Sequence, residues 1–257
     1  MEKSQLIEFY KKMVLIRKFE QTTSKLFSEG KLPGFLHLYL GEEAVATGIC
    51  GALRPTDYIT STHRGHGHLI AKGCDVKKMF AELFAKQTGY CKGKGGSMHI
   101  SDLDHGILGA NGIVGAGIPI ITGSAFAAKY KKEDRISVCF FGDGASNRGT
   151  FHESLNVAGA FKLPAIYVCE NNLYGISVDA RKVMGIKDIS VRAASYGIYG
   201  ISVDGNDVCS VYEAAKEAVE RARKGDGPTL IECKTWRQCG HYVGDPDDYR
   251  NPAEKAE

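Results

Sequence analysis

Two short polar clusters carry the strongest chemical signal in the chain: Gly142-Asp143-Gly144, and Glu170-Asn171-Asn172 about thirty residues later. Each closes an apolar run, over 136–141 and 165–169, of the kind that forms a strand buried on both faces. A helical pattern over 150–160 joins the runs, so the strands are predicted to be parallel, with both clusters at their carboxyl ends. Open α/β sheets bind their ligands at that edge. The groups gathered there are hard oxygen donors: one aspartate, two asparagine amides and the carbonyls of a loop. One Asp and one Asn are too few to hold Mg²⁺ alone, because the ion takes one or two carboxylates and completes its octahedron with water and phosphate oxygens. A diphosphate fits that gap, with its charge facing the amino end of the helix near Thr150. A lone GDG is only a turn; GDG and NN ending consecutive strands at this spacing point to a metal–diphosphate site.

A second dense region covers 57–70, where a short strand over 58–60 leads into His63-Arg64-Gly65-His66-Gly67-His68. Three histidines within six residues suggest a transition-metal site, but no nearby carboxylate or thiol completes a closed ligand set at a familiar spacing. Arg64 fits another task, since a guanidinium grips diphosphate oxygens bidentately and the flanking glycines allow close approach. His63 and His66 then serve as hydrogen-bonding or proton-transfer groups around a reacting carbonyl. His37, upstream, is assigned to the substrate pocket in the company of these motifs. The glycine-rich stretch over 92–99, KGKGGSMH, resembles a phosphate loop but lacks the Gly-Lys-Ser/Thr ending and the strand–loop–helix setting. Alone, it reads as a flexible basic loop. The glycines over 110–117 would let main-chain groups approach a flat ring, with small-residue helix packing as the alternative.

The elements that must position these groups alternate along the chain. A first helix is predicted over 4–28, with Ser4 as N-cap and a stripe of Leu6, Phe9, Met13, Ile16 and Phe27. Further helices are predicted over 42–53, 76–84 and 118–130, with a short one over 188–196. A strand and turn over 201–205 precede a helix capped by Asp207 that carries Val208, Val211, Ala215, Val219 and Ala222 on one face. A last buried strand over 229–235 leads to a polar loop over 236–251 containing His241. This order implies an α/β fold, a doubly wound, mainly parallel sheet with helices on both faces. At 257 residues, one domain over 1–257 is expected. The net charge of +3 gives no basic field for nucleic acid. No apolar run reaches the ~18–20 residues that span a bilayer, and the amino terminus lacks an apolar signal core. The eight cysteines form no C-x-x-C pair and read as reduced thiols of a cytoplasmic protein.

HLYLGEEA, ITSTHRGHGH, KGKGGSMH, GANGIVGAG, GDGASNRG, ENNLYG and a final GH before a DP loop stand in order along nearly the whole chain. Together they resemble the alpha subunit of the thiamine diphosphate-dependent first component of 2-oxo-acid dehydrogenase complexes, most of all its acetoin dehydrogenase branch. The resemblance implies a thiamine diphosphate-binding fold. It places Asp143, Asn172 and the carbonyl of Tyr174 on Mg²⁺, Arg64 and His241 beside the diphosphate, and Gly144 and Ala145 next to them. It gives Gly112 and Val114 the aminopyrimidine through their main chains, and His37 and His63 the substrate. The 2-oxo-acid enzymes usually carry tyrosine where this chain has His63, which favours acetoin over pyruvate or a branched 2-oxo acid. Two other departures are Cys239, where many relatives have histidine, and the end of the chain at Glu257, short against the family pattern.

The chemistry implied is cofactor-based nucleophilic cleavage of the carbon–carbon bond beside a carbonyl, with the acyl group passed to a lipoyl-bearing acyltransferase component. The carboxylate that activates thiamine is assigned by the resemblance to a separate beta subunit in an α₂β₂ assembly. Two rival readings are a split transketolase amino-terminal half, which lacks KGKGGSMH and GIVG, and a catalytically silent binding or scaffold subunit. Thiamine diphosphate binding with the partner separates the last from the others.

Overall fold

The computed structural model describes residues 1–251 and Glu254; the chain end at Glu257 lies outside them. In chain order the main elements are α1 (Lys3–Ser28), α2 (Glu43–Gly51), β1 (Tyr58–Thr62), α3 (His66–Lys72), α4 (Val76–Leu83), β2 (Ile107–Asn111) and α5 (Gly117–Tyr130). They continue with β3 (Ser137–Gly142), α6 (Gly149–Ala160), β4 (Ala165–Asn171), β5 (Tyr199–Asp204), α7 (Val208–Lys224) and β6 (Thr229–Lys234). The strands form one six-stranded sheet in the order β2-β1-β3-β4-β6-β5. Every neighbouring pair in it is parallel.

Strand periodicity explains why the central strands read as unbroken apolar runs. Successive side chains point to opposite faces, and both faces are covered. Val138 and Phe140 of β3, with Ile166 and Val168 of β4, join a core that includes Ile16 of α1, Val45 and Ile49 of α2 and Val211 of α7. The alternate residues, Cys139, Phe141, Tyr167 and Cys169, pack with Ile121 and Ala125 of α5 and Phe151 and Leu155 of α6. The doubly wound arrangement expected from the sequence is therefore present. The eight cysteines are all free thiols.

Several local expectations differ from the structure. Ser4 sits inside α1 and Glu2 occupies the cap position without a side-chain bond, whereas Asp207 does cap α7, accepting from the Cys209 amide at 2.9 Å. The segment over 188–196 is a 3₁₀ helix, Ile189–Tyr196. α3 was hidden by its histidines, which are buried and therefore break the apolar period without being exposed. β2 escaped because it is an edge strand with Gly109 at its centre.

Candidate active site

The carboxyl ends of the strands open onto one cavity of about 460 Å³. β1 runs on to His63 and Arg64, β3 to Asp143 and Gly144, β4 to Asn172, and β6 to the loop bearing Arg237 and His241. The main chain over 112–115, between β2 and α5, forms a further wall. After β1 the sheet grows to one side through β2 and to the other through β3, and such a switch point parts the two connections to leave a crevice. His37, His63, Arg64, Gly112, Val114, Asp143, Gly144, Ala145, Asn172, Tyr174 and His241, drawn from distant parts of the sequence, all line this cavity.

Asp143 is 3% exposed and forms no ion pair among the described residues. Burial pushes its carboxyl up to about 6, while its own amide, the Arg237 charge and the Asn172 amide pull it back. Asn172 donates from Nδ2 to Glu42 Oε1 at 2.7 Å, and its Oδ1 accepts from the Tyr174 amide at 3.3 Å. Glu42 thus fixes which end of the carboxamide is turned toward the cavity. Glu42 is itself raised, first by burial and then by neighbouring Glu170, with Arg64 opposing both. The Tyr174 carbonyl accepts from Arg237 Nη1 at 3.3 Å. A buried carboxylate without a counter-ion, an oriented carboxamide and a carbonyl make a donor set that fits Mg²⁺ completed by phosphate oxygens.

Two buried guanidinium groups share the cavity. Arg64 donates to the Leu38 carbonyl at 2.7 Å and to the His241 carbonyl at 2.9 Å. Arg237 donates to Cys239 O at 3.1 Å and Tyr249 Oη at 3.0 Å. Neither forms a direct ion pair among the described residues, although the Glu42 charge acts on both, and burial lowers both, Arg237 to about 10. Unpaired buried cations call for an anion.

His37, His63 and His241 meet at one end, with ring centroids 4.7, 5.0 and 5.2 Å apart. Burial first, and Arg64 second, hold them at about 4, 2 and 3 respectively, so all three are neutral at pH 7. Their ring nitrogens are close enough to grip a metal ion. However, Arg64 and Arg237 approach His241 Nδ1 to 3.5 and 3.4 Å, a positive setting that suits an oxygen-bearing substrate better than a divalent cation.

The other two histidines of the HRGHGH run do not reach the cavity. His66, expected near a reacting carbonyl, bonds Glu20 at 3.0 Å and Ser97 at 3.0 Å. His68 bonds Ser61 at 2.7 Å and Glu170 at 2.9 Å and stacks on Phe140. Both are buried struts of α3. Glu42 and Arg237 are functional neighbours that the sequence did not reveal. Arg237 follows the end of a strand at the same sheet edge, a signal that was available; Glu42 carries none, because its partner Asn172 is 130 residues away.

A family model for the dehydrogenase E1 component matches residues 11–257. The chain belongs to the dehydrogenase E1 component family. It is similar to the alpha subunit of acetoin:2,6-dichlorophenolindophenol oxidoreductase from Bacillus subtilis (strain 168), 56% identical over 248 residues, which span 96% of this chain and 74% of that one. It is also similar to the chloroplastic pyruvate dehydrogenase E1 component subunit alpha-3 of Arabidopsis thaliana, 45% identical over 260 residues, 99% of this chain and 61% of that one. Among solved structures, transketolase from Campylobacter jejuni shares the fold, with a TM-score of 0.66 at 22% identity over 91% of this chain and 38% of its own. In this E1 chain, Cys239 contributes its carbonyl to Arg237 and to Arg250, and its thiol is not part of the cavity wall.

Proposed function

We propose that this chain is the alpha subunit of a thiamine diphosphate-dependent acetoin dehydrogenase, with residues 1–257 as one cofactor-binding unit. One observation carries the reading: Asp143 and Asn172 close adjacent parallel strands, and the buried, unpaired Arg64 and Arg237 face the same cavity. Asp143, Asn172 and the Tyr174 carbonyl would hold Mg²⁺. Arg64 and His241 flank the diphosphate, with Gly144 and Ala145 beside it, and the main chains of Gly112 and Val114 hold the aminopyrimidine. When bound, thiamine diphosphate supplies the nucleophile and electron sink for breaking the carbon–carbon bond beside a carbonyl. His37 and His63 face that carbonyl, and because burial keeps them neutral each can present a ring N–H as a hydrogen-bond donor to it. Cleaving acetoin releases acetaldehyde and leaves a two-carbon unit at the aldehyde oxidation level. A lipoyl disulfide would take both its two electrons and the resulting acetyl group, whereas an artificial acceptor would take only the electrons and the acetyl group would leave to water as acetate.

The carboxylate at the aminopyrimidine end is assigned to the beta subunit, as the family resemblance implies. Glu42 is engaged by Asn172, and Glu170 by Tyr39 and His68, so neither is free for that task. The family resemblance supports an α₂β₂ assembly. Free cysteines support a cytoplasmic location, and among the described residues no helix is long and apolar enough to cross a membrane. A second reading, pyruvate or another 2-oxo acid as substrate, is favoured by the two guanidinium groups, which suit a carboxylate. Dye-linked turnover of the co-expressed alpha and beta chains decides between them. A higher kcat/KM for acetoin than for any 2-oxo acid is expected, and the reverse order overturns the acetoin assignment. The alpha chain purified alone should show negligible turnover; robust turnover would locate the missing carboxylate within it.

A further inference from the structure

A second cluster of ligating side chains lies at the amino edge of the sheet, opposite the cavity. Cys74 follows the glycine that ends α3, and Asp102 and His105 bracket the short 3₁₀ turn Leu103–His105 that leads into β2. The sulfur, one carboxylate oxygen and one ring nitrogen lie within 4.8 Å of one another. Asp102 Oδ2 accepts from Cys74 Sγ at 3.9 Å and from His105 Nδ1 at 2.5 Å, while Oδ1 accepts from the Asp104 amide at 3.2 Å. Gly73, at φ +110, turns the chain in the left-handed region, and a Cβ there would make only ordinary contact with His105 Cδ2, at 3.5 Å.

We propose that Cys74, Asp102 and His105 form a zinc site whose fourth position is open to solvent. Thiolate, carboxylate and imidazole are the three ligand types that Zn²⁺ takes, and three of them with one open position make a complete tetrahedral set. Bond lengths of about 2.0–2.3 Å require ligand atoms roughly 3.3–3.8 Å apart. The sulfur and oxygen therefore stand near the right spacing already, and the partly exposed His105 ring needs to withdraw by about an ångström. Binding displaces the Cys74 thiol proton to solvent and moves the His105 proton from Nδ1 to the outward Nε2. Because binding releases protons, affinity should rise with pH. Lys72, two residues before Cys74, has its Nζ engaged by the carbonyls of Arg54 and Pro55 at 3.1 and 2.9 Å. Among the described residues no guanidinium bonds to this cluster, whereas two approach His241 in the cavity. A bound ion would tie the segment entering β2 to the corner between α3 and α4.

Cobalt(II) titration of the full chain, with Mg²⁺ in excess, tests the site, because cobalt reports a thiolate ligand by a charge-transfer band. One ion per chain with that band is expected, displaced by Zn²⁺ and accompanied by proton release. Cys74→Ser should abolish the band, and His105→Ala, at a partly exposed position, should weaken binding at least about tenfold. Asp143→Asn should leave the band unchanged. A parent chain with no thiolate band, or a band that survives in Cys74→Ser, overturns the proposal.

Discussion

The loop over 91–96 and the turn over 142–145 are both rich in glycine, and both have the composition of an anion cradle, yet they end in opposite states. In the first, the buried Glu82 carboxylate accepts from the amides of Cys91 and Gly93 through Oε2 at 2.8 and 2.9 Å, and of Gly95 and Gly96 through Oε1 at 2.8 and 3.1 Å. Gly93 and Gly96 reach this arrangement with φ of +75 and +58. The second turn meets no such internal anion: a Cβ built on Gly144 finds nothing nearer than the Gly175 Cα at 3.7 Å, and Asp143 faces the cavity without a counter-ion. A nest of amides is available to a ligand only when the chain does not fill it. The phosphate-loop likeness of KGKGGSMH thus has a physical basis, and Glu82 occupies the anion's place.

Removing Glu82 should have the largest effect. Glu82→Ala strips four amides of their partner, and with water satisfying some of them a loss of about 3–5 kcal/mol in urea unfolding is expected. Formate or acetate should restore part of that stability in the variant and none in the parent. An unchanged unfolding midpoint would mean that the carboxylate does not hold the loop.

How much of this was legible beforehand follows from where each signal lies. Asp143 and Asn172 end apolar runs and stand about thirty residues apart, so strand logic alone placed them together. The wider set around them came from family motifs, and the structure brings all of those residues to one cavity. The partners that orient them were not legible. Glu42 with Asn172, and Glu82 with the loop amides, are bonds formed by tertiary packing, and a buried carboxylate looks in sequence like any surface one. His66 was misplaced for the same reason, since only the fold shows Glu20 and Ser97 claiming both its nitrogens.

A smaller effect is expected at Glu42, which sharpens the contrast by disturbing the open site without filling it. Glu42→Ala frees the Asn172 amide to rotate and should raise the Kd for thiamine diphosphate with Mg²⁺ by about 10–100-fold. Glu42→Gln should recover most of the affinity, because its carbonyl accepts the same N–H. Equal affinity for parent and Glu42→Ala would remove Glu42 from any orienting role.

The smallest effect concerns pH. His37, His63 and His241 are held below the ordinary value of 6.5, so the folded chain binds fewer protons there than the unfolded chain does. They are without influence on stability above about pH 6.5 and increasingly unfavourable as pH falls from there toward about 2, the lowest of the three values. Their imidazole ¹⁵N shifts should therefore stay flat between pH 5 and 8. Midpoints near 6.5 would show that the cavity end is open to water.

The central claim is that the Asp143 turn, and not the Glu82 loop, receives the cofactor's charge. Calorimetric titration of thiamine diphosphate with Mg²⁺ into the assembled alpha–beta enzyme tests it most directly. Asp143→Asn should weaken binding by about 100-fold or more, as loss of the one carboxylate assigned to the ion demands, while Glu82→Gln should stay within about threefold of the parent. Equal affinity for Asp143→Asn and the parent would contradict the account.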